Sequence, residues 1–511
     1  MLAMVVSGKM LGIVAVLGVM KGFGYFVPTA AGASTLGQVA HKANDFVSPI
    51  NTVWVLVTAF LVFFMQAGFM ALEAGFARSR ESVNIMMECV FDTCLCGLLY
   101  WAFGFAFQFG EGNGLIGHHY FFLQGMTKAY GSTGVAFLAF FLFQFAFADT
   151  ASTVTSGAMV GRTGFKGDIL YSTMVSGFIY PIFGHWVWGP GGWLGNTMGW
   201  FHGWTSGTVF RDFAGSTVVH TVGGFIALAG CIALGPRIGR KFKRDGGGPT
   251  PPHDLNLGAI GGVILWFGWY GFNPGSTLSA MDWDGIGRVA ANTTLAAAAA
   301  GLVAVFFVYP RSKKWDLGMS VNGFLGGLVA ITCPCYWVSP TGAILIGAIA
   351  GIVVPLGVDF MEHRRWDDPI GAVAVHGFAG IWGTLSLGLF AAGKYGIPTP
   401  DGSDTSTVVK GLFYGGGTGQ LRAQAIGSLT CVVVVTGVSL LVMYAIKSIR
   451  GSWSLRVSRD GELEGLDIHE HGTPAYHMEF GQGMTYTTPA GLSGGPKVPA
   501  SQPSTPVESG V

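Results

Sequence analysis

Residues 212–220 read DFAGSTVVH, and residues 368–376 read DPIGAVAVH. In both, an acidic residue opens an apolar segment and a histidine follows eight positions later, Asp212 before His220 and Asp368 before His376. Eleven apolar stretches lie near 52–76, 83–109, 134–160, 168–190, 215–235, 255–275, 286–309, 317–337, 341–360, 369–392 and 421–446. A helix crossing a bilayer needs about 20 residues, so eleven transmembrane helices are expected, and the two copies fall in the fifth and the tenth. Five spans reverse the direction of crossing. The match therefore predicts an inverted repeat of spans 1–5 and 6–10, with a site near the midplane where the repeats meet. A chance coincidence of two Asp-to-His spacings is the alternative that spacing alone leaves open.

Composition points the same way. Of 511 residues, 50% are hydrophobic and 11% are charged, against roughly a quarter charged in a soluble domain. An all-α membrane protein is expected. Glycine, with 82 residues, runs through the apolar segments without a G-X-Y period, which excludes collagen and fits helices drawn close by small side chains. The 28 basic and 27 acidic residues nearly cancel, so nothing argues for nucleic acid. The seven cysteines form no CxxC pair and read as reduced core residues rather than zinc ligands or a disulfide framework. Gly8-Lys9 and Gly393-Lys394 are followed by Met10 and Tyr395, so no P-loop is present, and His469-Glu470-His471 lacks the HExxH spacing. An ATP-driven pump and a zinc protease are disfavoured. No metal, cofactor or enzymatic centre is expected.

Residues 1–33 read as a signal peptide, with Lys9, an apolar run from Leu11 to Met20, and Ala31-Gly32-Ala33 before Ser34; a retained first span is the other reading. Residues 34–448 form the transmembrane domain, 449–478 a C-terminal region and 479–511 a polar tail expected to be disordered. Basic residues gather on one side of the spans: Arg78, Arg80, Arg162, Lys166, the Arg237–Arg244 group, Arg311, Lys313, Lys314, Arg364, Arg365, Lys447 and Arg450. The other side holds a thinner scatter, including Lys42, Lys128, Arg211 and Arg288. The positive-inside rule then puts the mature N-terminus outside and the C-terminus in the cytoplasm.

Asp368, followed by Pro369, reads as a helix cap whose carboxylate accepts orphan amide N–H groups. Asp212 reads as a cap too, and near a cation route it also adds negative potential. His220 and His376 lie about two turns inside apolar segments, where an ionisable group is costly and marks a pathway. Each alone reads equally as a satisfied core histidine; their matched depth favours a facing pair, two imidazoles offering a polar line through hydrocarbon. Aromatic residues cluster with them: Phe143-Gln144 and Phe147 in span 3, Trp188 in HWVWGPGG (185–192), and Trp269, Phe272, Asn273 and Ser276 in ILWFGWYGFNPGS (264–276). Such rings commonly pack or face lipid, but a ring face also attracts a small cation.

Taken together, VFFMQAGFMALEAGF (62–76), FQFAFA (143–148), SGAMVGR (156–162), DFAGSTVVH (212–220), ILWFGWYGFNPGS (264–276), DDPIGAVAVHG (367–377) and GLDIHEHGTPAY (465–476) resemble the ammonium transporters of the Amt/Mep/Rh superfamily. Trp188, Ser276 and the tail motif resemble its Amt/Mep branch. The resemblance implies an outer recruitment site at Phe147, Trp188 and Ser276 supported by Asp212, a gate of stacked rings at Phe147 and Phe272, and a pore lined by the twin histidines His220 and His376. It also implies a regulatory tail with Gly465, Asp467, His471, Gly472 and Tyr476, a homotrimer in the cell membrane, ammonium or ammonia as substrate, and a cytoplasmic PII-type protein as partner of many bacterial members. Val160-Gly161-Arg162 stands where many relatives have Ala-Glu-Arg, and His469 where plant members carry a regulatory Thr. Asp149 is an extra carboxylate, about 200° around the helix from Phe147, turned off the pore toward a contact such as a subunit interface.

The mechanism the resemblance implies is physically economical. A bare ammonium ion in a dry pore faces a Born cost of order 20 kcal/mol, and deprotonation near the aromatic gate avoids most of it. Ammonia then passes while the proton follows separately. Potassium has no proton to lose. Two other functions compete: an ammonium sensor, for which the 35 residues after Tyr476 (511 minus 476) leave no room for a kinase or cyclase, and an Rh-like channel for a neutral gas, against which Trp188 and Ser276 argue.

Overall fold

The computed structural model describes residues 47–399, 402–404 and 408–476. The signal-like segment 1–33 and the tail 479–511 lie outside the described residues. Helices begin where the sequence supplies acceptors for orphan amides. Ser48 caps α1 (Pro49–Phe76), with Pro49 in the first turn. α2 runs from Ser82 through a π-turn at Tyr100–Gly104 to Phe109, α3 spans Phe137–Gly157, and α4 runs from Phe165 through a π-turn at Val175–Ile179 to Trp188. α5 opens with a π-turn at Ser216–Thr221 and continues as Val222–Leu234. Asp254 caps α6 (Leu255–Gly275), Asp282 caps α7 (Trp283–Ser312), Asp316 caps α8 (Leu317–Thr332) and Ser339 caps α9 (Pro340–Arg364). α10 again opens with a π-turn, Val373–Phe378, and continues as Ala379–Phe390. The long α11 (Gly419–Lys447) is followed by two short tail helices, α12 (Arg459–Glu464) and α13 (Leu466–His471).

Among the described residues, nine helices are long and apolar enough to cross a membrane. The two expected spans not among them are α8, which has 16 residues, and α4, whose apolar character is diluted by Lys166, Asp168, Tyr171 and His185. Outward-facing side chains are themselves apolar, with Phe60, Phe267, Leu302 and Leu441 exposed, the reverse of a water-soluble bundle. The chain is a multi-pass helical membrane protein.

Glycine sets the closest helix contacts. α1 and α6 approach until a Cβ on Gly261 would sit 2.3 Å from the Leu72 amide nitrogen, and one on Gly75 2.4 Å from that of Gly258. No other residue fits there. Free cysteines are buried at six of the seven positions; Cys94 instead lies exposed on α2, a correction to the expectation that all seven are core residues. It sits on the face of α2 that turns away from the bundle.

Candidate functional site

Asp212 and Asp368 anchor two copies of one local structure. The Asp212 carboxylate accepts from the amides of Gly215, Ser216, Thr217 and Val218 at 2.8–3.1 Å. That of Asp368 accepts from Gly371, Ala372 and Val373 at 2.8–3.1 Å. Each chain reverses at a glycine three residues on, with φ +117° at Gly215 and +84° at Gly371, a conformation that a Cβ opposes. The π-turn follows at once in both. Pro369 therefore lies in the loop before α10 rather than at its first helical position, because the turn at Gly371 delays the helix. Burial pushes the Asp368 carboxyl up to about 6 against the pull of its three amides. Beside it, the hydrogen bond and charge of Arg237, with the charge of Arg162, outweigh burial and hold Asp367 well below the usual carboxylate range.

The two π-turns carry His220 and His376, and α5 and α10 cross directly beside them. A Cβ on Gly224 would lie 2.3 Å from the Gly377 nitrogen, and one on Gly380 2.5 Å from Thr221 Oγ1. With the backbones this close, the imidazoles stack with centroids 5.2 Å apart at 27°, and their Nδ1 atoms are 3.2 Å apart. His220 is wholly buried, and its Nε2 has no hydrogen-bond partner.

Rings continue the line on the vestibule side. His220 stacks on Trp269 at 5.1 Å and on Phe272 at 5.4 Å, and Trp269 is fixed by its Nε1 donating to Thr332 Oγ1 at 2.9 Å. Phe272 stacks on Phe147 at 4.0 Å and 25°. Trp188 and Phe147 meet edge-to-face, their ring centroids 6.3 Å apart at 74°, and Trp188 Nε1 donates to the Asp212 carbonyl at 2.7 Å. Ser276 Oγ donates to the Phe272 carbonyl at 2.8 Å, which leaves its lone pairs open. Beyond these rings opens a cavity of about 390 Å³ lined by Phe143, Gln144, Phe147, Trp188, Ser276 and Trp337, among others.

On the far side of the histidines lies a separate void of about 20 Å³ bounded by Phe69, Glu73, Asn322 and His376. Phe69, Glu73 and Trp337 were not singled out by the sequence. Phe69 and Glu73 fall in the 62–76 motif four residues apart, which puts them on one helix face; Trp337 gave no signal. Asn273 is engaged by α7, its Nδ2 donating to Thr293 Oγ1 at 3.0 Å. Asp149 is wholly buried inside the protomer, which rules out the subunit contact expected for it: α1 and α2 close over that face of α3.

The tail residues gather at the opposite end from the aromatic cavity. Asp467 Oδ1 accepts from the Asn84 amide at 2.9 Å, and His471 Nε2 lies 2.9 Å from Asn84 Oδ1. Gly465, with φ +107°, lies against the Arg80 side chain, which donates to the Leu463 carbonyl at 2.8 Å. Gly472 ends α13 at φ +71°, and the Tyr476 hydroxyl meets His253 Nε2 at 3.1 Å. Among the described residues no cluster of His, Cys, Asp or Glu has the arrangement of a metal site.

A family model described as "Ammonium Transporter Family" matches residues 53–476. The ammonium transporter Amt2 of Archaeoglobus fulgidus is 42% identical over 453 residues, covering 87% of this chain and 92% of the relative. Ammonium transporter 1 member 3 of Solanum lycopersicum is 38% identical over 440 residues, covering 84% and 93%. Among solved structures, one named Sensor Amt Protein matches with TM-score 0.70 and 36% identity, covering 83% of this chain and 98% of that one. Saccharomyces cerevisiae Mep2 matches with TM-score 0.72 and 26% identity, covering 82% and 89%.

Proposed function

The chain belongs to the ammonium transporter family, and from that premise we propose that it recruits ammonium in the aromatic cavity, strips one proton and conducts ammonia past the histidine pair. It is a transport protein, not an enzyme. The observation that carries the mechanism is His220 Nε2, buried and unpartnered directly beneath the stacked rings of Phe147 and Phe272. An unpaired buried polar atom costs about 1–3 kcal/mol, and a passing ammonia molecule, both donor and acceptor, relieves it. Above the gate, the faces of Trp188 and Phe147 offer cation-π contacts and Ser276 a hydroxyl acceptor. The Asp212 carboxylate, consumed by four amides, supports the site by fixing the α5 turn and by its negative charge. Potassium meets the same gate without a proton to give up.

In this reading the polypeptide crosses the membrane eleven times, α1–α5 and α6–α10 forming an inverted repeat, with the aromatic cavity outside and the tail in the cytoplasm. The matched Asp–Gly–π-turn–His units of α5 and α10 support it. The cell membrane is the site of action, three copies assemble as a homotrimer, and the tail side docks a PII-type protein. A second reading, an ammonium sensor with little net transport, is favoured by the similarity to the Sensor Amt Protein. Purified protein on a supported membrane separates them: ammonium pulses should give current or uptake where equal potassium pulses give neither. Silence to ammonium in both assays would sink the transport reading and leave the sensor or a channel for another neutral molecule.

A further inference from the structure

Five carboxyl side chains are buried together among α1, α2, α3 and α4: Glu73, Glu88, Asp92, Asp149 and Asp168. They lie within electrostatic reach of one another, Glu73 and Glu88 of Asp168, and Asp92 of both Glu88 and Asp149. None is in an ion pair among the described residues. Glu73 Oε2 lacks a hydrogen-bond partner, and the others meet only neutral groups: Ser172 for Asp92, Thr93 and Gln66 for Asp149, and Tyr171 for Asp168. Five carboxylates without countercharge cannot all ionise in such a volume, since each faces a Born cost of order 20 kcal/mol. Protons therefore reside there. A carboxylic acid donates through one oxygen and accepts through the other, so a row of them can pass a proton along.

The row has two ends. Glu73 lines the same void as His376 and Asn322, about 20 Å³ in volume, room for one bridging water. At the other end Glu88 Oε1 accepts from Asn84 Nδ2 at 2.9 Å, and Asn84 meets the partly exposed His471 of the tail, also at 2.9 Å.

We propose that Glu73 takes up the proton leaving the pore histidines and that the buried acids carry it toward the tail side, apart from the path of ammonia. This rests on the transport reading above. Ammonium gives one proton to an imidazole, the imidazolium gives it through water to the Glu73 carboxylate, and the acid row releases it at the tail surface. One ammonium entering thus yields one ammonia and one proton leaving, with nothing oxidised or reduced.

The test is charge moved per ammonia delivered, measured on vesicles of the full chain by ammonium-evoked current and by total ammonia collected in the lumen. Glu73→Gln should lower that ratio about a hundredfold, the lower end of what a placed acid or base contributes, and Glu73→Asp, which keeps the carboxyl, should restore part of it. If Glu73→Gln fails to assemble, the ratio in Glu73→Asp is read against wild type and should still fall. A wild-type ratio in the variants, or an equal fall of charge and ammonia, overturns the relay alone. A wild-type protein silent to ammonium overturns both the relay and the reading beneath it.

Discussion

The Nδ1 atoms of His220 and His376 face each other at 3.2 Å, so that one must donate and the other accept. The pair shares a single proton on that edge, and both rings cannot be charged without setting two N–H groups against each other. Replacing both residues, His220→Ala with His376→Ala, removes the polar line. We expect the ammonium-to-potassium current ratio to fall by about tenfold, equivalent to about 1.4 kcal/mol of discrimination. Recording both cations on one membrane checks it; an unchanged ratio refutes the role of the pair.

Phe147 and Phe272 close the cavity floor by a 4.0 Å stack. Phe272→Ala should join the cavity to the histidine line and admit potassium, so potassium-evoked current should rise from zero. Loss of a buried phenyl ring costs about 3–5 kcal/mol, so the melting temperature should fall as well. A potassium-tight Phe272→Ala variant would show that the rings are packing rather than a gate.

Asp212 satisfies four amides at the start of α5. Asp212→Ala orphans all four in a buried turn and should cost at least the ~1–3 kcal/mol of an unmet buried donor. Asp212→Asn keeps one acceptor oxygen and should cost less. Thermal unfolding in detergent ranks the three proteins, and equal midpoints would contradict the cap.

Arg237 and Arg240 both pair with buried Asp367. Asp367→Asn leaves Arg237 without its countercharge, while Arg240 keeps Glu362, and should destabilise by about 3–5 kcal/mol. The folded state lowers the Asp367 pKa, so its contribution is fully present above the unfolded carboxylate value of about 3.9 and is lost as pH falls from there toward the lower folded value. The gap between wild-type and Asp367→Asn melting temperatures should therefore stay constant from neutral pH down to that value and shrink below it. A gap that closes at higher pH would assign the effect elsewhere.

Much of this arrangement is written in local spacing. Asp212 to His220 and Asp368 to His376 mark two matched segments because a cap and a buried imidazole each need one particular residue type at one depth. Hydrophobic runs show the helices because hydrocarbon tolerates only backbones whose hydrogen bonds are satisfied internally. Span limits were less legible at α4 and α8, where polar side chains and a short helix are accommodated by neighbours that the sequence does not name.

Tertiary structure alone decided the rest. Gly224 meeting Gly377 sets the approach of α5 to α10, and that crossing, not the eightfold spacing, brings Nδ1 to Nδ1. The delayed starts after Gly215 and Gly371 depend on positive φ that no hydropathy pattern reports. Asp149 shows the limit most plainly: helical phase turned it away from the pore, but only packing could show that α1 and α2 close over it and that it lies with four other acids. Residues up to 95 positions apart along the chain, Glu73 and Asp168, meet in that cluster as a consequence of helix contacts, and a linear sequence records which side chains a helix presents, not which neighbour receives them.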